Sequence, residues 1–211
     1  MILPKPLGAA KLVTPWSSDS DARTYFADAD THRVLVATGF FQALSAIALL
    51  VFVGYVAAMV GRLEPDGALA GVTRVTGTVA AAFLLVTASG EWVLSRSSTL
   101  KDLRVARSVQ DLVFVTGAGP HIAVLGIFVG VAATVTLRTR AMPVWLSWFG
   151  IVVSVLSVLS ILSLLAYFGT FFIPAGRFLG FVWFIGASVL LLRPATPTGP
   201  AGDRTRVSAA A

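Results

Sequence analysis

The feature that most constrains this chain is a series of long apolar runs without formal charge. Residues 34–61 contain no aspartate, glutamate, lysine or arginine, and a helix needs only ~20 mostly apolar residues to cross a hydrocarbon core of roughly 30 Å. Such runs are too long for the ~10-residue strands of a membrane β-barrel. They predict an all-α fold, a polytopic transmembrane helical bundle of about five spans, with four or six spans left open. The expected spans cover residues 34–61, 75–94, 112–137, 143–167 and 174–192.

The composition excludes several functional classes. Charged residues make up 12% of the chain, against roughly 25% in an ordinary soluble domain, so a soluble enzyme or a disordered chain is not expected. The 16 basic residues are scattered between the apolar runs, as in membrane loops near anionic lipid. We therefore expect the lipid bilayer, and no nucleic acid, as a partner. Arginine outnumbers lysine, which is typical of high-GC bacterial genomes and favours the bacterial plasma membrane.

The chain divides into three predicted regions. Residues 1–32 form an extramembrane segment with a short interfacial helix over residues 22–31, introduced by the capping pattern at Ser18. Residues 33–193 form the transmembrane bundle, and residues 194–211 form a disordered tail. Within the bundle, the third span contains Gly117-Ala118-Gly119-Pro120. This sequence predicts a kink that frees backbone carbonyls.

Ionisable side chains inside spans are costly to bury, so each is a candidate functional residue. Glu91, Asp111 and Arg177 should lie near the membrane interface on the same side, where they would form one ion-paired cluster. His121 follows Asp111 by ten residues and should lie about 15 Å deeper, and Gln42 lies on a polar face of the first span. The most ordinary interpretation is that these residues pin neighbouring helices together. A proton or ion route, or a site for a headgroup or small ligand, is the alternative.

Small and hydroxyl residues recur at helical spacing on three spans. This spacing favours close helix packing, and a solute path along the same faces is the alternative. The residues are Thr38, Gln42 and Ser45 on the first span, Gly77 and Ala81 on the second, and Ser147, Gly150, Ser154 and Ser157 on the fourth.

Positive support for catalysis is missing from the sequence. It contains no phosphate-binding loop, no zinc-protease motif and no serine-hydrolase motif. The two histidines lack metal-ligand spacing and there is no cysteine, so we expect no catalytic residue, no cofactor and no metal. The main hypothesis is a non-enzymatic accessory or assembly subunit that packs against a membrane-protein partner or against itself. A small proton- or ion-coupled transporter is the alternative, and a membrane-sensing role for the N-terminal helix is a third hypothesis.

Three segments resemble a family of uncharacterised actinobacterial multi-spanning membrane proteins with a domain of unknown function. They are residues 24–37, residues 141–150, where a Pro-x-Trp-x-x-Trp-x-Gly pattern opens the fourth span, and residues 181–193. The similarity covers most of residues 24–193 and consists of hydrophobic patterns. It implies a polytopic inner-membrane fold and carries over no catalytic residue.

Overall fold

A computed structural model describes residues 13–96 and 101–191. The described residues form helices joined by short turns, without a strand among them. Five helical segments are long and apolar enough to cross a membrane, which confirms the predicted all-α bundle with five spans. The predicted disordered tail over residues 194–211 and the first twelve residues of the N-terminal segment lie outside the described residues. The helices are α1 (Asp19–Ala27), α2 (Ala29–Leu63), α3 (Leu69–Leu94), α4 (Leu103–Gly117), α5 (Gly119–Thr139), α6 (Val144–Leu159), two 3₁₀ turns (Ser160–Leu164 and Tyr167–Phe171) and α7 (Phe172–Leu191).

The N-terminal helix begins where the sequence predicts but ends earlier. Ser18 caps α1, and its hydroxyl accepts the backbone N–H of Asp21 at 3.1 Å. Asp28 is extended, and its carboxylate accepts the N–H of Asp30 at 2.9 Å, so Asp28 ends α1 and caps α2. The predicted surface helix over residues 22–31 is therefore wrong in its second half, because a second capping residue starts a new helix directly after it.

The third span is broken at the predicted position. Helices α4 and α5 meet at Ala118, whose φ of −114° and ψ of −110° are not helical. Pro120 stands in the first turn of α5, where its missing N–H removes the donor that a continuous helix would offer to the Thr116 carbonyl. The two helices together run over Leu103–Thr139, or about 55 Å at 1.5 Å per residue. Part of this length must therefore extend beyond a hydrocarbon core of roughly 30 Å.

The bundle contains two separate apolar clusters. The deep core joins α2, α3, α5, α6 and α7, and its largest fully buried side chains include Phe128 and Trp183. The second cluster lies at one end of the bundle and joins the N-terminal residues to α2, α3 and α4. We call it the strap-end cluster, and its buried members are Val13, Ala22, Tyr25, Phe26, Leu35, Leu94, Ala106 and Val113.

Close packing in the deep core depends on small residues. A Cβ at Gly77 would lie 2.8 Å from Val53 Cγ1 and 2.9 Å from Phe128 Cδ2, so α3 touches α2 and α5 at this point. A Cβ at Gly150 would lie 2.5 Å from Trp183 Nε1 and 2.8 Å from Ala133 Cβ. The predicted packing role of these two glycines is confirmed.

The hydroxyl stripes behave differently on the first and fourth spans. On the fourth span, Ser147 lies 3.1 Å from Thr136 of α5, oxygen to oxygen, and both side chains are fully buried. On the first span, Ser45 is exposed, and its hydroxyl donates back to the Phe41 carbonyl of the same helix. The expectation that Ser45 shares a packing face with Gln42 is therefore wrong, because the Ser45 side chain is exposed instead of packed against a neighbouring helix.

The alternation of the spans places defined contacts at each end of the bundle. At the strap end, Arg107 of α4 lies 3.9 Å from the Asp19 carboxylate of α1. At the opposite end, Arg138 of α5 lies 4.0 Å from the Glu64 carboxylate, which follows α2. The N-terminal helix therefore meets the start of α4 at one end of the bundle, and the turn after α2 meets the end of α5 at the other.

Candidate functional site

Glu91 is the most deeply buried acidic residue of the predicted cluster. Its side chain is 5% exposed, and its Oε1 accepts the side-chain amide N–H of Gln42 at 3.0 Å. This bond joins α3 to α2 where Gly39 leaves room, since a Cβ there would lie 3.1 Å from the Ala88 carbonyl oxygen and 3.7 Å from Glu91 Oε2. Among the described residues, neither Glu91 Oε2 nor Gln42 Oε1 has a hydrogen-bond partner. The pair therefore retains unused hydrogen-bonding capacity.

Asp111 does not join this pair. It lies in α4 and is half-buried, and its Oδ1 also has no hydrogen-bond partner within the described part of the chain. No cation of the described residues lies within ion-pairing distance of it. Asp111 is thus a separate acceptor on a different helix.

Arg177 binds a backbone carbonyl instead of a carboxylate. Its Nη2 donates to the Gly117 carbonyl at 2.6 Å, which is one of the carbonyls released by the helix break at Ala118. The predicted ion pairs of Arg177 with Glu91 and Asp111 are wrong, since the ion pairs among the described residues are elsewhere. Because the Gly117 carbonyl is freed by the helix break, Arg177 can bind it without disrupting a helix.

His121 connects α5 to α3 near the middle of the bundle. It is 3% exposed, and its Nδ1 lies 2.9 Å from the Ala80 carbonyl oxygen. Because a carbonyl can only accept, this contact assigns the proton to Nδ1. This is the interhelical bond that the ordinary interpretation of a buried histidine predicts.

The N-terminal residues cover the end of the bundle where Glu91 lies. We call residues 13–28 the strap. Gln110 of α4 donates its side-chain amide to the Val13 carbonyl at 3.2 Å, and Arg107 donates to the Ser17 carbonyl at 2.9 Å. Trp16 packs edge-on against Phe114, with ring centroids 5.5 Å apart. These contacts fasten the strap to α4.

Two further contacts extend the strap across the bundle. Trp16 also packs edge-on against Tyr167, 5.8 Å between centroids, which reaches the turn before α7. Tyr25 is 1% exposed, and burial, together with the negative charges of Glu91 and Asp28, raises the pKa of Tyr25 to about 12. The phenol therefore stays neutral over the physiological range, and it lies near enough to Glu91 to feel its charge. Tyr25 shares a buried cluster with Leu94, which lies three residues after Glu91 in α3, so the strap lies over the end of α3 that carries Glu91.

Sequence reasoning missed the strap contacts and one buried pair. Thr87 of α3 donates its hydroxyl to Thr116 of α4 at 3.0 Å, in a fully buried position. The spacing of Ala106, Gln110 and Val113 in α4 marks one helical face, and all three are buried. This amphipathic pattern could have indicated that α4 packs under another segment, although not under which one.

Neither of the two surface depressions that the structure shows in the described ranges is lined by Gln42, Glu91, Asp111, His121 or Arg177. One lies between α5 and α6, and the other lies along the outer face of α2. In the same ranges, no group of three or more histidine, cysteine, aspartate or glutamate residues is placed to hold a metal ion. Of the predicted site residues, Glu91 and His121 are buried among the helices, and Gln42, Asp111 and Arg177 are half-buried.

Comparison with protein-family models, with curated proteins and with solved structures finds no match to this chain. The resemblance to the actinobacterial family stays a prediction, and function must be inferred from the site itself.

Proposed function

We propose that this protein is a non-enzymatic multi-pass protein of the bacterial plasma membrane, an accessory or assembly subunit that packs against a partner or a second copy. One observation carries the proposal: three ionisable residues of the bundle each bind a group on a different helix. Glu91 joins α3 to α2, His121 joins α5 to α3, and Arg177 joins α7 to α4. Polar groups used in this way hold helices in register.

The outer face of α2 supports the second part of the proposal. An exposed apolar stripe follows this helix at spacings of three and four residues, over about 22 Å of helix at 1.5 Å per residue. Its members are Phe40, Leu44, Ile47, Val51 and Tyr55. This stripe spans much of a hydrocarbon core of roughly 30 Å. It is therefore long enough for a transmembrane helix of a partner, parallel or antiparallel, to pack along it.

Cross-linking in native membranes tests this proposal directly. The natural chain has no cysteine, so a single Ile47→Cys variant reports on the α2 stripe alone. We expect a cross-linked product with Ile47→Cys and none with the matched control Ile185→Cys, which is exposed on α7 and slightly more so than Ile47 is on α2. Absence of a product from both variants, together with no protein retained on affinity purification in mild detergent, would contradict the proposal.

A proton- or ion-coupled transporter is the second candidate function. It is favoured by the three buried oxygens without partners in the described residues, Gln42 Oε1, Glu91 Oε2 and Asp111 Oδ1. Buried acceptors need donors, and a proton or cation that passes through would supply them. Buried carboxylates of this kind occur in proton relays of membrane proteins.

Flux measurements in liposomes with a pH gradient test the transporter. Transport by the native protein should be lost in Glu91→Gln and reduced in Asp111→Asn. It should be unchanged in Asp66→Asn, an exposed carboxylate after α2. Flux equal to that of empty liposomes, or equal rates in Glu91→Gln and the native protein, would exclude this candidate.

A further inference from the structure

A groove runs along the lipid-facing surface between α5 and α6 at the end opposite the strap. It has a volume of about 390 Å³. Ile127, Val131, Thr134 and Arg138 line one wall at intervals of four, three and four residues, which places them on one face of α5. Ser154 of α6 lies on the other side. The groove therefore has a defined direction, from an apolar inner part to an arginine at the water boundary.

Small residues form the floor of the groove. A Cβ at Gly130 would lie 2.9 Å from Ser154 Cβ, so the two helices touch at this point. Neither residue projects beyond the contact, and the surface is recessed between the larger side chains of Ile127 and Val155. A slender apolar chain fits such a recess.

The length of the groove separates two possible occupants. From Ile127 to Arg138 the α5 wall extends about 16 Å at 1.5 Å per residue. This is about half of a hydrocarbon core of roughly 30 Å, and so it matches one leaflet. A partner transmembrane helix would make contacts over a longer stretch, such as the α2 stripe of about 22 Å, whereas the acyl chain of one phospholipid needs only the length of this groove.

The charge at the mouth of the groove specifies the headgroup. The Arg138 side chain is 67% exposed and meets the Glu64 carboxylate only at 4.0 Å, so most of its guanidinium donors remain open to another acceptor. An arginine fork recognises phosphate oxygens through charge-assisted hydrogen bonds. We propose that this groove binds one anionic phospholipid of the adjacent leaflet, with its phosphate on Arg138 and an acyl chain along Ile127 and Val131.

Native mass spectrometry of the full-length protein tests the site. The protein is released from nanodiscs that contain phosphatidylglycerol or phosphatidylcholine, and the lipid retained per protein is counted. We expect one phosphatidylglycerol to be retained, and Arg138→Gln to lower its affinity about tenfold, as the loss of one charge-assisted contact implies. Arg62→Gln, an exposed arginine at the same end, should retain the lipid. Arg138→Lys keeps the charge and should lie between Arg138→Gln and the native protein.

A second pair of variants tests the groove itself. Val155→Trp fills the recess, and Val152→Trp places the same side chain on the lipid-facing surface of α6 outside the lining. Retention should fall in Val155→Trp and stay native in Val152→Trp. The proposal is overturned if phosphatidylcholine is retained equally well, if Arg138→Gln binds as the native protein does, or if both tryptophan variants behave alike. Loss of a protein partner or of self-association in Val155→Trp, with lipid retention unchanged, would assign the groove to a helix instead.

Discussion

The close approach of three helices at Gly77 allows a quantitative test of packing one turn from the His121 acceptor. In Gly77→Ala the new Cβ would lie 2.8 Å from Val53 Cγ1 and 2.9 Å from Phe128 Cδ2, whereas carbon atoms prefer about 3.5–4.0 Å. Both neighbours are at most 2% exposed, so neither can move into open space. Overpacking of this kind costs up to about 3 kcal/mol, and the better helix propensity of alanine returns about 1 kcal/mol. We expect a net loss of about 2 kcal/mol in the free energy of unfolding.

Equilibrium unfolding in mixed detergent micelles, followed by tryptophan fluorescence, measures this loss. The matched control is Gly71→Ala in the same helix, where a Cβ would meet no atom within 4 Å, and it should be neutral or stabilising. Val53→Ala in the Gly77→Ala background removes the obstructing methyl groups, so the two changes should couple favourably by about 1–2 kcal/mol. Equal stability of the Gly77→Ala and Gly71→Ala variants would show that the centre of the bundle is loosely packed. It would also contradict the interpretation that the buried polar side chains hold neighbouring helices together.

Three further outcomes can be measured with the same preparation. Burial of Tyr25 raises its pKa to about 12 from an ordinary value of 10.0, because the folded site disfavours the charged phenolate. The free energy of unfolding should therefore fall by about 3 kcal/mol as the pH rises from 10 to 12, and unfolding titrations should show this fall in the native protein and not in Tyr25→Phe. In Ala22→Cys, labelling by a water-soluble maleimide should be slow and should rise about tenfold when Arg107→Met removes its three strap contacts. Equal rates would show that Arg107 does not hold the strap. Thr136→Val and Ser147→Ala should couple by only ~0.6 kcal/mol in a double-mutant cycle, the average for interhelical bonds in membranes, and a coupling above 2 kcal/mol would refute this estimate.

Local signals predicted most of the helix boundaries. The apolar runs identified the five spans because the bilayer thickness sets a minimum length that few other structures require. Ser18 predicted the start of α1, and the glycines with Pro120 predicted the break in the third span, because caps and missing N–H groups act within a few residues. The end of α1 was missed because Asp28 competes with helix continuation, and the sequence alone does not show which of two capping residues prevails.

The contacts of the candidate site were harder to predict for a geometric reason. Depth in the membrane follows from residue number, so Glu91 and Arg177 were expected at one end of the bundle. The rotation of each helix about its axis depends on packing at Gly77 and Gly150, and one residue of rotation turns a side chain by about 100°. The carbonyl of Gly117 then became the partner of Arg177. The sequence predicted that the break in the third span frees backbone carbonyls, but it did not show that Arg177 faces one of them.

The strap-end cluster and the deep core are stabilised by different forces, because one is buried from water and the other lies inside lipid. Val13, Ala22, Tyr25 and Phe26 precede the first span, so their burial removes apolar surface from water and is driven by the hydrophobic effect. Inside lipid this driving force is missing, and the deep core relies on dispersion and interhelical bonds. Urea and cooling both weaken hydrophobic burial, on which the strap depends more than the five spans do. Both should therefore detach the strap while the five spans remain folded, and in hydrogen–deuterium exchange the amides of α1 should lose their protection well before those of α5.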